Sequence, residues 1–438
     1  MKKYIEILLF VLVLIFTICF LYFITPLVLD GIWNYGFGYN ISKGLIPYKD
    51  FNMIVPPLFP YIVSIFIKLF GNKFIIYDFL ISIIIVFISY ISYKKIGWKA
   101  IIIYMMLLLY PHNGYNTFSV LLIFILLKVI EREEYNDLVV AVIISLMFLT
   151  KQTLGLLIIP SILYSKNRKK TICVYLAFIL LLVIYLIINN NLYYFIDYCF
   201  LGMLDFTEKN GTGINLLVFL ELGLCFFMIY KLIHSKFKDK KIFYILLFQI
   251  ISFPIVDNSH FVLTICPFIY YMYTNYNNKY LIYICSVFFA FFIIGFNIYI
   301  YNGYDCVRYS KDNSFINYKS LSLDYLLYFN TIDNYSNKYS DYRLYLFDTR
   351  AYVGKLEFNM KIDKYDLINN GNMGYHGSYK YLKEVREYCE NNKCLFIVNA
   401  KEGMEDINQS SKYIIKYIMN NYYNISSSGL ENVYVNKM

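Results

Sequence analysis

The sequence predicts an α-helical polytopic membrane protein, with about 11–12 transmembrane segments, followed by a small extracytoplasmic α/β domain. Three observations lead there. Hydrophobic residues make up 59% of the 438 and charged residues only 16%, whereas soluble domains are about 25% charged. Apolar runs follow one another through 1–300, while 301–438 has ordinary charge density and no hydrophobic run of membrane length. The net charge of +10 is also unevenly placed: 302–438 holds 17 Lys+Arg against 16 Asp+Glu, leaving 23 against 14 upstream. A basic surplus confined to the apolar region is an orientation signal, so the expected partner is the bilayer and not nucleic acid.

Met1-Lys2-Lys3 precedes an apolar run too long for a secretory signal and without a small-residue cleavage site, which predicts a retained first helix. Further apolar segments lie near 57–70, 74–93, 98–110, 115–130, 137–150, 153–165, 171–189, 214–233, 242–256, 260–276 and 279–299. Several fall short of the roughly 20 residues that span hydrocarbon, so some are tilted, interfacial or re-entrant. Lys166, Arg168, Lys169 and Lys170, and then Lys231, Lys236, Lys238, Lys240 and Lys241, mark cytoplasmic loops. Counting outward from them puts 190–213, 257–260, Lys151-Gln152, 111–116 and everything after 300 on the opposite side, with Lys94, Lys95 and Lys99 inside. The N-terminus, also inside, then creates a conflict: segment 57–70 begins and ends outside. Either it does not cross, or Lys94 to Lys99 break the rule; eleven crossings plus one partial segment is the favoured count.

The first outer loop, 28–56, is rich in Gly, Pro and aromatic residues. Pro47, Pro56, Pro57 and Pro60 forbid one continuous helix, which predicts short interfacial helices joined by fixed turns. Asp30 falls at the end of an apolar run and Asp50 follows in the loop. A carboxylate at a membrane boundary is costly to desolvate, so one held there has a partner or a task such as proton abstraction or metal binding. Asp30 also suits a simple helix-terminating role in headgroup water. The same face collects His112, Asn113 and Asn116, Lys151 and Gln152, Asp197 and Asp205, and Asp257 with His260. Lys151 is a lone cation where positive charge is normally avoided; a bound phosphate would explain it, as would snorkelling. His260 beside Asp257 reads as an oriented base, a phosphate ligand or an interfacial pair.

These residues resemble the GT-C superfamily of polytopic glycosyltransferases, in particular the bacterial protein mannosyltransferase and aminoarabinose transferase group. The likeness is strongest from Asp30 to Phe70. Such enzymes have an acid just after helix one, then a G-x-x-P-Y-x-D-F-like stretch, then a Pro-Pro-Leu helix entry; here these look like Asp30, Gly44 to Phe51 with Tyr48 and Asp50, and Pro56-Pro57-Leu58. The resemblance implies a polyprenyl-phosphate sugar donor and an extracytoplasmic glycan, glycolipid or protein acceptor. It also implies Asp30 as catalytic base or centre of a divalent-metal site, and Asp50 in support. Many relatives have Asp-Glu where this chain has Asp30-Gly31, and some have a basic residue where it has Val55. The lipid-phosphate contact is therefore expected from Lys151, Gln152, Asp257 and His260, with Tyr48.

In 301–438, strand-like runs at 344–347, 395–399 and 433–436 alternate with helical patterns at 378–391 and 409–421, which suggests a small α/β domain with a mostly parallel sheet. The glycine-rich 370–374 does not follow a convincing strand and reads as a turn. Of nine cysteines, only Cys389 and Cys394 are close enough in sequence to suggest a disulfide. The rival readings are a surface-polysaccharide polymerase or ligase, a lipid-linked sugar transporter and a non-catalytic receptor. The transporter would show repeats and ionisable residues at mid-membrane depth, and neither is expected here. The abundance of Ile, Asn, Lys and Tyr suggests an AT-rich bacterial genome, hence a bacterial plasma membrane.

Overall fold

A computed structural model describes the chain except residues 1, 26, 28, 110–113, 133, 202–215, 253–257, 277–305, 312–313, 348–349, 361–376, 400–408, 427–430 and 437–438. Among the described residues three stretches are long and apolar enough to cross a membrane: Tyr4–Ile24, Phe74–Leu109 and Arg168–Ile188. The first comprises helix α1 (Lys2–Cys19) and a π turn, Phe20–Ile24. It turns Ile5, Leu8, Leu12 and Phe16 outward, as a lipid-facing helix must. The second is interrupted at Gly97, whose φ of 63° suits glycine. There α4 (Phe74–Ile96) ends, and α5 (Ala100–Leu109) returns beside it.

Helices α6 (Gly114–Ile130), α7 (Asp137–Thr150), α8 (Ile158–Tyr164) and α9 (Arg168–Ile188) follow, then the short α10 (Leu192–Ile196). Among the described residues the bundle continues with α11 (Leu216–His234), α12 (Lys240–Ser252) and α13 (Asn258–Asn275). The lysine clusters meet at one end of this bundle. Lys94 pairs with Glu6 at 2.7 Å, and Lys95 and Lys128 flank Glu131 at 3.5 and 3.6 Å. Asp137 accepts Ser165 Oγ and the backbone N–H groups of Lys166 and Asn167.

The opposite end is built from α2 (Leu29–Ser42) and α3 (Leu58–Phe70), packed on each other. Gly38 permits the close crossing: a Cβ there would lie 2.3 Å from Val63 Cγ1. The intervening turns are fixed. Tyr48 donates to Val55 O at 2.7 Å, and the buried Asn191 donates to Pro47 O at 2.8 Å. This matches the expected braced loop and resolves the conflict over 57–70. Just before α3, Ile54 O faces Gln152; just after it, Lys73 Nζ reaches Ser314 O at 2.8 Å and Phe74 N–H reaches Phe315 O at 2.9 Å. Both ends of α3 therefore lie at the same end of the bundle. Thirteen residues reach only about 20 Å, short of the roughly 30 Å hydrocarbon, and Ile65, Leu69 and Phe70 face outward while Phe59, Val63 and Ile67 are buried.

The C-terminal domain docks on this layer. Strands β1 (Cys306–Arg308) and β2 (Ser320–Ser322) pair antiparallel, then come α14 (Leu323–Lys338), β3 (Arg343–Phe347), α15 (Ala351–Glu357), α16 (Gly377–Asn391), β4 (Cys394–Asn399), α17 (Gln409–Asn421), β5 (Tyr423–Asn424) and β6 (Glu431–Val435). The main sheet has order β3-β4-β6-β5. Only β3 and β4 are parallel, so the expectation of a mostly parallel sheet is corrected. The connection from β5 to β6 is too short for a crossover, which leaves antiparallel pairing as its one solution. Cys389 and Cys394 form a disulfide joining α16 to β4. The glycine-rich 370–374 and the 300/301 boundary lie outside the described residues.

Candidate functional site

Asp30 lies in the first turn of α2, partly exposed, and Asn34 one turn later donates to its backbone oxygen at 2.7 Å. Around it converge the start of α4, the start of α6 and the turn after α7. Gly114, first in α6, is the point of closest approach: a Cβ there would meet Tyr77 Oη at 2.2 Å, Phe59 at 2.6 Å and Asn34 Cγ at 3.0 Å. Tyr77, Tyr115 and Lys151 all lie within electrostatic reach of the Asp30 carboxylate. Lys151, which ends α7 in the turn between two apolar helices, donates to Asn116 Oδ1 at 3.3 Å and stands 5.9 Å from the Tyr115 ring centre. Burial pushes its ammonium down to about 7, against the opposing pull of Asp30. Beside them Asn34 Oδ1 is buried without a hydrogen bond in the protein, and Asn116 Nδ2 has only an offset contact with the Tyr115 hydroxyl. Carboxylate, ammonium, amide donor and amide acceptor thus share one recess, a set suited to a phosphate beside a hydroxyl.

The other predicted residues are placed differently. Asp50 accepts Ile46 N–H at 2.8 Å while its own N–H returns to Ile46 O at 3.0 Å, so its carboxylate closes a turn. Tyr48 is buried with φ of 67°, its ring 5.2 Å from Phe195 and its hydroxyl on Val55 O. Gln152 clasps two loops, donating to Cys199 O at 2.6 Å with Ile54 O at 3.5 Å, and its Oε1 is buried without a partner. His260 sits half-buried in the first turn of α13, and Asp197 is buried. Asp257, Asp205, His112 and Asn113 lie outside the described residues.

Sequence reasoning missed Tyr77 and Asp78. Asp78 is wholly buried, 3.0 Å from the equally buried Lys319 of the C-terminal domain. Lys319 also donates to Leu21 O and faces the rings of Tyr22 and Phe74. A single acid in the apolar run of α4 was the available signal. Nearby, Tyr22 donates to Asn317 O, Phe315 packs on Tyr35, and Tyr352 fills the space over Gly36. The domain is therefore fixed to the helices that carry Asp30 and Tyr77. Among the described residues no group of three or more His, Cys, Asp or Glu could hold a metal, and an ammonium beside Asp30 does not suit a metal shell. A 420 Å³ groove between α1, α4 and α5, lined mostly by apolar side chains such as Phe10 and Trp98 together with Glu6 and Tyr90, offers shape for acyl chains.

The described residues thus form a polytopic helical membrane fold, with α2 and α3 packed on each other at one end, Asp30 and Lys151 close together there and an α/β domain docked on that layer. No family model matches the chain, and no curated protein does. Among solved structures it is similar to the crystal structure of ArnT from Cupriavidus metallidurans bound to undecaprenyl phosphate, with a TM-score of 0.58 and 9% identity over 99% of this chain and 98% of that one. Likeness at that identity establishes the fold, as the resemblance predicted.

Proposed function

We propose that this protein is a membrane glycosyltransferase that moves a sugar from a polyprenyl-phosphate donor to an acceptor hydroxyl on a surface glycan, glycolipid or protein. The observation that carries the reading is the convergence of Asp30 and Lys151, remote in sequence, on one buried polar recess with Asn34 and Asn116. The similar fold of a protein crystallised with undecaprenyl phosphate supports the same class of donor. Asp30 takes the proton of the acceptor hydroxyl as that oxygen bonds to the anomeric carbon. The bond from that carbon to the phosphate oxygen breaks, and the departing lipid phosphate is met by Lys151 and Asn116 Nδ2. No step is routed through a metal. Asp50, Tyr48 and Gln152 hold the loop walls, and His260 with Asp257 remains assigned to the lipid phosphate.

The lysine clusters at one end support a cytoplasmic location for that end and for the N-terminus. The disulfide of the docked domain suits the oxidising side of a bacterial plasma membrane. The test is turnover of a panel of polyprenyl-phosphate sugars by the purified protein in nanodiscs. Wild type should release polyprenyl phosphate when given an acceptor, and Asp30→Asn, folded to equal yield, should lose at least about 100-fold. Full activity in Asp30→Asn removes it from the chemistry.

A further inference from the structure

The apolar run of α11 contains one acid, Glu221, which the assignments above leave without a task. It meets a carboxamide and a hydroxyl from the two neighbouring helices. Thr264 of α13, 1% exposed, donates to Glu221 Oε2 at 3.4 Å and to Phe261 O at 3.0 Å. Gln249 of α12, 2% exposed, lies alongside the same carboxyl, yet neither its Nε2 nor its Oε1 reaches ordinary hydrogen-bonding geometry with a protein atom. A buried amide left in that state costs about 1–3 kcal/mol, and an acid inside a membrane helix is retained for an interhelical contact or a ligand.

Position selects between them. The lysine-bearing ends of α11 and α12 lie at the other end of the bundle. Counted from their opposite ends, Glu221 is five residues in, Gln249 three and Thr264 six, or roughly 5–9 Å along each helix. This is the end that holds Lys151, and α12 packs directly on the turn Gln152–Leu157 that follows it. On α13, His260 stands one turn above Thr264, on the same helical face. The cluster thus lies at the end of the bundle that holds Asp30 and Lys151, with Gln249 on the helix that packs against the turn following Lys151.

We infer that Glu221, Gln249 and Thr264 form a subsite for the hydroxyl groups of the sugar, an assignment that rests on the transferase reading. The chemistry favours hydroxyls over phosphate. A carboxyl group repels an anion, and no basic side chain is hydrogen-bonded to the cluster among the described residues. A carboxyl, an amide offering both donor and acceptor, and a hydroxyl match the mixed donor-acceptor character of vicinal sugar hydroxyls. Binding the sugar gives the Gln249 amide well-aligned bonds beyond its offset contact with Glu221, while the phosphate stays with Lys151.

The test separates sugar from lipid phosphate. The full-length protein in nanodiscs is titrated with bare polyprenyl phosphate and with polyprenyl-phosphate hexoses of gluco, manno and galacto configuration, while thermal unfolding is followed in parallel. Wild type should bind at least one hexose-bearing lipid more tightly than the bare lipid. Glu221→Gln, Gln249→Leu and Thr264→Val should each weaken that lipid about 10-fold or more and leave the bare lipid unchanged. Equal binding of all lipids by wild type overturns the inference, as do variants that lose both lipids together or that lose only thermal stability. Sugar discrimination without transfer to any acceptor would instead retain the subsite and remove the transferase reading.

Discussion

Replacing Asp78 by Asn, or Lys319 by Met, should loosen the C-terminal domain from the membrane bundle. Both groups are fully buried, with the ammonium 3.0 Å from the carboxylate, so each single change leaves the other charge in an interior that cannot hydrate it. Breaking such a pair costs roughly 3–5 kcal/mol. The cost falls on the docking segment: Phe74 N–H on Phe315 O, Tyr309 N–H on Lys319 O and Tyr318 N–H on Tyr309 O. At 1.4 kcal/mol per decade, exchange of those amides should quicken about 100-fold or more. Hydrogen exchange of the nanodisc-embedded protein reads this directly. The double variant Asp78→Leu with Lys319→Met leaves no orphan charge and should recover most of the protection, since an apolar replacement of a buried pair is often neutral or stabilising. Single variants whose exchange stays within about threefold of wild type, or a double variant as exposed as the singles, would refute the reasoning.

With the Lys151 ammonium pushed down to about 7, phosphate binding above that pH must bring a proton with it. Donor KM should therefore be flat below about pH 7 and rise up to tenfold per unit above it, whereas Lys151→Arg, which stays charged, should show no such rise between pH 6 and 9. The same shift means that the unfolded chain binds the extra proton between about 7 and 10.5, so this lysine's contribution to folding stability increases with pH across that window. Gly114→Ala forces a methyl into the space of Tyr77 Oη and Phe59; thermal unfolding should show a loss of about 1–3 kcal/mol, with lower turnover. Cys389→Ser opens a disulfide that closes a five-residue separation, and chemical unfolding of the C-terminal domain should register about 2 kcal/mol.

What could be read from the sequence was local in origin. Strands 344–347, 395–399 and 433–436 and helices 378–391 and 409–421 recur within a residue or two, because their periodicity and stop signals lie inside each segment. The lysine clusters gather at one end of the bundle, and each is visible as a local run of charge. Pairing across long separations was not legible. Nothing near Asp78 in sequence names Lys319, and the return of α3 to its own side depends on residues 314–315 holding the start of α4. Asp50 and Tyr48 drew attention as motif residues, yet their polar atoms are committed to Ile46 and Val55; a side chain that shapes a loop leaves the same trace in a sequence as one that lines it. Glu221 leaves little trace in the sequence, because one acid barely lowers the mean hydropathy of its run.

The docked domain cannot be an independent module. Tyr352 occupies the space above Gly36 on the helix that carries Asp30, and Phe315 and Lys319 grip the first turns of the helix that carries Tyr77. Removing residues 301–438 would expose the upper face of α2 and take Lys319 away from the buried Asp78 carboxylate. The truncated chain should therefore fail to accumulate in the membrane instead of accumulating as an inactive bundle. Restoring Asp78→Leu within the truncation should recover part of the yield, which quantitative immunoblotting of membrane fractions would read. A truncated wild-type bundle that accumulates normally would show that the membrane helices hold the site without help from above.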